Sequence, residues 1–325
     1  MIYGLLKWIT GIALHWFYSD IRVVGRERIP AEGPLFVAVN HQNALVDSLI
    51  VGWIVPRRLA MTAKATLADN PLIALLFRLI GVVPLRRASD EINKRIASPP
   101  DRARNAGAFR EIMKLLYHGG AILIFPEGKS HDNVGLEPLK SGLARVALQA
   151  RDEKSIRGIR ILPLGLTFED KATPASVVGV RVGDVIEMDS WVGSDHTMLT
   201  AEIARRLRSV SEEAGLPIQR ITNATRGDTA RGRKGLIALA AAWGRLTHRL
   251  PIKLARKIAM RRSTNADQPA MFTIMFGIGF ALITYAVHLA IIGALVHSLW
   301  IESLYVAGLL SGAYWAAFEN RPRRY

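Results

Sequence analysis

A histidine and an aspartate six residues apart could form the core of a site that transfers a proton. His41 follows an apolar run, Leu35–Val39, that predicts a buried strand, and Asp47 lies in a segment, Leu45–Val55, that predicts a helix. A carboxylate bound to one imidazole nitrogen makes the other a competent general base for a hydroxyl. Such a pair is also common as a purely structural hydrogen bond, so the pair alone leaves both interpretations open.

A second polar stretch, F-P-E-G-K-S-H-D at residues 125–132, follows another apolar run about eighty residues later. Arg87 likewise stands at the end of a third run, G-V-V-P-L. In open α/β sheets, functional groups collect outside the carboxyl ends of the strands. We therefore expect Glu127, Arg87 and His41 to reach one edge of a sheet.

The remaining pattern predicts the elements that must hold these residues. Short apolar runs alternate with amphipathic segments over residues 20–215, which predicts an α/β domain with a mixed, mostly parallel sheet flanked by helices. The less regular elements are predicted as follows: a helix over 72–80 after Asp69-Asn70-Pro71, a loop over 88–103, a helix from Pro138 to Gln149, and an antiparallel pair over 177–188 that turns near Gly183-Asp184.

The two ends of the chain predict membrane contact. Residues 1–19 form an apolar helix in which Trp8, Trp16 and Tyr18 suit a membrane interface, and a buried core helix is the alternative. A cleaved signal peptide is not expected, because no basic segment precedes this helix. Residues 269–325 contain two apolar runs that predict a transmembrane hairpin with cytoplasmic ends and a basic tail.

The charge is strongly positive and unevenly placed. The chain has 43 Lys and Arg against 27 Asp and Glu, a net charge of +16. A basic, helical juxtamembrane segment, 216–268, precedes the apolar runs, which favours a membrane surface over nucleic acid as its partner. The chain has no cysteine, which excludes disulfides and thiolate chemistry, and its histidines show no metal-ligand spacing. No metal site is therefore expected.

The polar stretches together resemble the phospholipid/glycerol acyltransferase family, of the 1-acylglycerol-3-phosphate acyltransferase type. The family pattern is H-x4-D, then G-x-x-F-I-x-R, F-P-E-G-T-R-S and a V-P-V-type strand. This chain reads H-x5-D, G-V-V-P-L-R-R, F-P-E-G-K-S-H and I-L-P-L-G-L in the same order. The longer first motif, with N-H-x-N-x-x-V-D and P-L-K-x-G-x-A-R, most resembles the fungal-type glycerol-3-phosphate/dihydroxyacetone-phosphate acyltransferase branch and its bacterial relatives. The resemblance covers residues 34–170 well, and the basic segment and C-terminal hairpin fit that branch more loosely.

The resemblance implies a role for each matched residue. His41 would act as general base and Asp47 would orient it. The substrate-binding residues would be Asn43, Arg86, Arg87, Glu127, Gly128, Lys129 and Ser130. Among these, the arginines and Lys129 would bind the acceptor phosphate, while Glu127 and Gly128 would shape the pocket. His131 and Lys140 rank lower. A G-x-S-x-G elbow is not found, which argues against a serine acyl-enzyme.

The expected function is transfer of a fatty acyl group to a hydroxyl of glycerol 3-phosphate or its 1-acyl derivative in phospholipid biosynthesis. The donor would be acyl-CoA or acyl carrier protein, and no cofactor is expected. The partners would be membrane lipids and these substrates, with the catalytic domain on the cytoplasmic face of the inner membrane. One alternative is that the acceptor is another lysolipid. The other is that the chain is a non-catalytic membrane protein that binds anionic lipid.

Overall fold

The structure is a computed structural model that describes residues 2–65, 69, 81–85, 105–131, 133, 135–212, 235–265 and 267–318. The predicted helix over 72–80, the predicted loop over 88–103, and Arg86 and Arg87 lie outside the described residues. So do the basic tail and the first part of the juxtamembrane segment.

Helices and strands alternate over residues 20–211, as the apolar periodicity predicts. The helices are α1 (Ile2–Phe17), α2 (Ala44–Ile54), α3 (Ala106–Tyr117), α4 (Gly142–Asp152), α5 (His196–Ser211), α6 (Leu236–Arg262), α7 (Gln268–Val296) and α8 (Leu299–Phe318). The strands are β1 (Asp20–Val24), β2 (Leu35–Val39), β3 (Leu59–Lys64), β4 (Val82–Leu85), β5 (Ala121–Ile124), β6 (Arg160–Phe168), β7 (Val177–Val182) and β8 (Ile186–Glu187).

These strands, within the described residues, form one sheet in the order β1-β7-β6-β2-β5-β3-β4, with β8 also on β6. The five strands from β6 to β4 run parallel to one another. β7 and β8 run antiparallel to β6, and β1 runs parallel to β7. The predicted mixed, mostly parallel sheet is confirmed.

Both faces of the sheet are covered, which is why its central strand is apolar throughout rather than alternating. In β2, Leu35, Val37 and Val39 pack on the side of α1, α2 and the start of α7. Phe36 and Ala38 pack on the opposite side, against α3, α4 and α5. The helix α2, which carries Asp47, is thereby fixed by its buried face directly beside the strand that ends before His41.

The predicted antiparallel pair over 177–188 is wrong. β7 and β8 do not pair with each other, because both run along β6 in the same direction. Three residues, 183–185, stand opposite only two residues of β6, so the interruption between β7 and β8 is a bulge. Pro163 in β6 lacks a donor and its carbonyl accepts from the Gly183 N–H at 2.9 Å. This glycine therefore marks a bulge and not a hairpin turn.

The helix predicted to begin at Pro138 begins at Gly142 instead. The residues before it are held extended against the loop after β5. The Glu137 N–H donates to the Glu127 carboxylate at 2.7 Å, and the Lys140 N–H donates to the Pro126 carbonyl at 2.7 Å. These tertiary bonds tie residues 137–140 to the loop after β5, and the helix begins only after Ser141.

Both predicted C-terminal apolar helices form, and they pack with α6 as a bundle. Among the described helices, α7 is the one that is long and apolar enough to cross a membrane, by length and composition alone. Its first turns are part of the domain core, since Ala270 and Ile274 pack in the same cluster as β2. The two-span hairpin therefore stays a prediction.

Gly165 makes the closest contact between β6 and α5, and alanine there is expected to destabilise the domain. A Cβ at this position would lie 2.3 Å from the Val210 carbonyl oxygen, so strand and helix would have to separate. Overpacking of this kind costs about 1–3 kcal/mol, which corresponds to a Tm lower by about 2–12 °C. Thermal unfolding of the purified protein in detergent measures it. Gly107→Ala is the control, because that Cβ would meet no atom within 4 Å.

Candidate active site

The direction of the strands brings several distant segments to one edge of the sheet. β2 and β5 are parallel neighbours, so the loops that begin at Asn40 and Phe125 leave the same edge. β1 runs the opposite way, and its start, directly after Tyr18, therefore reaches this edge as well. These segments are far apart in the sequence, and the mixed sheet brings them to the same edge.

The His41 and Asp47 side chains are hydrogen-bonded in spite of the extra residue between them. Asp47 Oδ2 lies 3.0 Å from His41 Nδ1 and also accepts the Asn43 N–H at 2.8 Å. Since this carboxylate can only accept, Nδ1 is the protonated nitrogen and Nε2 carries the lone pair. Asp47 is fully buried in the first turn of α2, where the helix dipole favours a negative charge. The pair therefore has the tautomer that a general base needs.

A stacked ring and a main-chain bond fix His41 further. Its imidazole stacks on the Phe125 ring, with centroids 3.9 Å apart and planes 13° from parallel. Its N–H donates to Glu127 Oε1 at 2.6 Å. Within the described residues, no hydrogen-bond partner reaches Nε2. The loop after β5 thus supplies both a wall for the ring and an anchor for its backbone.

Glu127 is a buried carboxylate that joins three segments of the site. Besides the His41 N–H, it accepts from His131 Nε2 at 2.5 Å and from the Glu137 N–H at 2.7 Å. Gly128 follows in the left-handed conformation, with φ of +82°, which closes the turn at the end of β5. Through these bonds the Phe-Pro-Glu-Gly stretch holds the loops of the site in place. It can do so without contacting the substrate.

Tyr18 forms an inner wall of the site that the sequence did not indicate. Its side chain is only 1% exposed, and its hydroxyl accepts from Asn43 Nδ2 at 2.9 Å. Burial, and then the negative charge of Asp47, raise the pKa of Tyr18 far above its usual value. The tyrosine therefore stays neutral. Its prediction as an interfacial aromatic residue of α1 is wrong for this one position.

Comparison with known proteins identifies the part of the chain that contains this edge. Residues 20–167 match the sequence profile of the Acyltransferase family, and the match covers His41, Asp47 and Glu127. Residues 20–167 therefore form an acyltransferase domain. The resemblance inferred from the motifs is confirmed.

Curated relatives of the acyltransferase domain include fungal and plant enzymes. Glycerol-3-phosphate O-acyltransferase 1 of Saccharomyces cerevisiae is 26% identical over 58% of this chain and 35% of its own length. The chloroplastic 1-acyl-sn-glycerol-3-phosphate acyltransferase LPAT1 of Arabidopsis thaliana is 24% identical over 54% of this chain and 44% of its own length. An uncharacterized acyltransferase of Schizosaccharomyces pombe is 24% identical over 51% and 36%. The chain thus spans well under two thirds of these relatives.

A solved structure has the same fold as the acyltransferase domain. It is the 1-acyl-sn-glycerophosphate (LPA) acyltransferase PlsC from Thermotoga maritima, with a TM-score of 0.50 and 20% identity. The similarity covers 66% of this chain and 80% of that chain. At this identity the likeness supports the fold, and the site geometry must support the chemistry.

Ser130 connects the acyltransferase domain to the start of α7. Its hydroxyl donates to Asp267 Oδ2 at 3.0 Å and accepts the Ala44 N–H at 3.0 Å. Ala44 is the first residue of α2 and has a φ of +44°, a strained conformation for a residue with a side chain. The bond from Ser130 helps to hold that strained start, three residues before Asp47. Substrate binding by Ser130 stays a prediction.

Lys171 is a second residue that the motifs did not reveal. Its ammonium donates to the Gln42 carbonyl at 2.9 Å and to the His131 carbonyl at 3.4 Å, so it joins the two motif loops. The neighbouring Asp170 orders the loop by accepting from the Thr173 hydroxyl at 2.6 Å. The Thr173 hydroxyl and nearby backbone N–H groups hold the pKa of Asp170 below its usual value.

The predicted cation site is described only in part. Lys129 is exposed on the loop after Gly128, and β4 ends at this edge with Leu85. Arg86 and Arg87 follow it outside the described residues. Lys140 is exposed, and its backbone carries the tertiary bond to Pro126. Across the described ranges, no cluster of three acidic or histidine side chains could hold a metal ion.

A cleft of about 590 Å³ lies elsewhere on the domain and contains none of the predicted site residues. Its walls come from the bulge at Gly183, the end of β1 and the helix α5. Arginines on those walls pair with acids, for example Arg28 with Asp184 at 3.3 Å. This cleft is separate from the edge that holds His41.

Replacement of Ser130 by alanine is expected to slow the reaction with little change in substrate affinity. The Ala44 N–H and the Asp267 carboxylate would each lose a partner, and an unsatisfied buried group costs about 1–3 kcal/mol. We expect kcat to fall roughly tenfold or more as α2 loses its fixed start, with KM nearly unchanged. Steady-state kinetics in mixed micelles measure both.

Ser130→Thr keeps the hydroxyl and is expected to restore most of the rate. A selective rise in KM in Ser130→Ala, with kcat intact, would show instead that the hydroxyl binds substrate. Asp267→Asn keeps an acceptor for Ser130 and should be close to the parent protein.

Proposed function

We propose that this chain is a membrane-associated O-acyltransferase that acylates a hydroxyl of a glycerophosphate. The observation that carries the proposal is the His41–Asp47 pair, held with its Nδ1 protonated inside an acyltransferase domain. A thioester is already activated, so the reaction mainly needs a base and correct placement of the acceptor. The buried pair and the fixed loops around it supply both.

The atoms balance in a direct transfer. The acceptor hydroxyl loses its proton to His41 Nε2 while its oxygen attacks the thioester carbonyl carbon. Collapse of the tetrahedral intermediate breaks the carbon–sulfur bond, and the leaving thiolate takes the proton back from the imidazolium. Asp47 stabilises that imidazolium. The products are an ester and a free thiol, which is coenzyme A or the thiol of acyl carrier protein.

The acceptor is proposed to carry a phosphate. Lys129 lies next to Gly128 on the loop after β5, and together with Arg86 and Arg87 it would bind the phosphate through charge-assisted hydrogen bonds. Glycerol 3-phosphate and its 1-acyl derivative are the two acceptors that the names of the relatives favour. Another lysolipid acceptor is the alternative.

The site is proposed to work at a membrane, on the cytoplasmic face of the inner membrane. The helix α7 is apolar and long, and it starts at Asp267, which is hydrogen-bonded to Ser130 of the site. A membrane that holds α7 would therefore lie close to His41. Acyl chains and the lipid product would then remain in the bilayer during the reaction.

An acceptor panel tests this proposal. Purified full-length protein is incubated with acyl-CoA or acyl carrier protein and, in turn, glycerol 3-phosphate, dihydroxyacetone phosphate, 1-acylglycerol 3-phosphate and 1-acylglycerol. Mass spectrometry identifies the products. We expect acylation of a phosphate-bearing acceptor and little of 1-acylglycerol. Equal use of the acceptor without phosphate would contradict the phosphate site, and absence of any acyl transfer would contradict the activity.

A further inference from the structure

The outward face of α6 carries a continuous apolar stripe. Five residues at spacings of three and four lie on it: Leu239, Trp243, Leu246, Leu250 and Leu254. The leucines at 246 and 250 are 67% and 66% exposed. The other face of the helix is buried against α7 and α8 through small residues, and the Gly244 and Gly312 backbones are in direct contact. The apolar stripe therefore faces away from α7 and α8.

A basic row runs beside the stripe along the same helix. Arg245, Arg249, Lys253 and Lys257 follow one another at intervals of four residues, and each is exposed. Three further arginines lie towards the end of the helix, and none of its residues from 236 to 262 is acidic. A helix with an apolar face bordered by lysine and arginine suits the boundary between lipid headgroups and acyl chains. Long basic side chains can extend from that depth to the lipid phosphates.

The register between α6 and α7 aligns this stripe with a second apolar surface. His248 Nε2 lies 2.5 Å from the Tyr285 hydroxyl, and Ala255 is the nearest neighbour of Gly277, so the two helices run antiparallel. The first half of α6 therefore lies beside the second half of α7, where Leu282 and Ile291 are also exposed. Both helices therefore expose apolar side chains over the same length of the bundle.

We propose that the outward face of α6 is a docking surface for an anionic lipid bilayer. The leucine stripe enters the acyl region, and the row from Arg245 to Lys257 binds lipid phosphates. This proposal deepens the membrane location given under Proposed function by naming the surface and the lipid charge. It requires that α7, which runs antiparallel beside α6, lies along the same membrane surface rather than across the bilayer. A second copy of the chain is the competing occupant, and it is disfavoured because two such faces would bring two rows of like charge together.

Single cysteines report on this face without background, because the chain has none of its own. Leu246→Cys and Leu250→Cys are reconstituted as full-length protein in vesicles of phosphatidylglycerol and phosphatidylcholine. Their reaction with a water-soluble maleimide is timed. Val192→Cys, at a position 92% exposed on the catalytic domain, is the control. We expect the stripe cysteines to react at least about tenfold more slowly than the control in vesicles, and equally fast after denaturation.

The basic row is tested separately. In the Leu246→Cys background, the test variant carries Arg249→Gln and Lys253→Gln. The control variant carries Lys154→Gln and Arg157→Gln, on the exposed loop before β6. Each lost charge near an anionic surface weakens binding roughly fivefold. The first pair should therefore speed the maleimide reaction several-fold in phosphatidylglycerol vesicles, while the second pair should leave it unchanged.

Three results would overturn the proposal. Stripe cysteines that react as fast as Val192→Cys would show that water covers the face. Efficient stripe-to-stripe disulfide formation would show that a second copy covers it. Equally slow maleimide reaction of the stripe cysteines in vesicles of pure phosphatidylcholine would show that the basic row does not contribute to membrane binding. None of these readouts uses acyl transfer, so they stand whether or not the proposed activity is found.

Discussion

Replacement of His41 by alanine is expected to lower kcat/KM for acyl transfer by roughly 10²–10⁴-fold, the usual contribution of a positioned general base. The imidazole that would accept the hydroxyl proton is removed, while the fold keeps its other contacts, because the Glu127 bond is made to the His41 backbone. The measurement is the initial rate of product formation from acyl-CoA and the best acceptor. The rate is compared at a temperature where the variant is folded, because the buried Asp47 carboxylate loses a partner, and vesicle binding should change little.

Two variants make this result specific. His118→Ala removes a histidine from the exposed end of α3 and should leave the rate unchanged. Asp47→Asn should also be slow, because an amide no longer enforces the Nδ1-protonated tautomer or stabilises the imidazolium. Full activity in His41→Ala would rule out the proposed base.

The substitution Glu127→Gln is expected to be the most disruptive isosteric change in the domain. The carboxylate accepts from His41, His131 and Glu137, and an amide presents one oxygen and one donor to those three donors. A buried donor left without its acceptor costs about 1–3 kcal/mol. We expect a Tm lower by about 2–12 °C and loss of most activity even at temperatures where the variant stays folded. Thermal unfolding and rate assays on the same preparation separate the two effects.

An exposed carboxylate gives the matched comparison for Glu127. Glu111→Gln, on the solvent face of α3, should leave both Tm and activity at parent values. If Glu127→Gln kept its Tm and lost only acceptor affinity, the carboxylate would be a substrate ligand rather than the link between the loops.

Most of the fold was predictable because the strands of this sheet are buried on both faces. Runs such as Leu35–Val39 are apolar throughout and are bounded by polar loops, so their positions are visible in the sequence. The hairpin prediction failed at Gly183 because a glycine marks a bulge as readily as a turn. The difference depends on Pro163 in the neighbouring strand, about twenty residues away.

The site was predictable to the extent that its residues follow strands directly. His41, Asp47 and Glu127 lie in motifs of that kind, and the structure brings them together. Tyr18 reaches the site before the reversed strand β1, Lys171 in the loop after β6, and Asp267 at the start of α7. The pattern of apolar residues does not predict that these three residues lie at the site, because their positions depend on the order and direction of strands in the assembled sheet.

The position of Tyr18 limits how the protein can be shortened for study in solution. The helix α1 looks like a detachable anchor, and trimming such a helix is a common route to a soluble enzyme. Here the chain leaves α1 at Phe17 and enters the floor of the site one residue later, where the tyrosine hydroxyl supports Asn43. A truncation that starts at β1 would therefore remove part of the active site along with the anchor. Exchange of the outward residues Leu5 and Trp8 for polar ones would keep that wall in place.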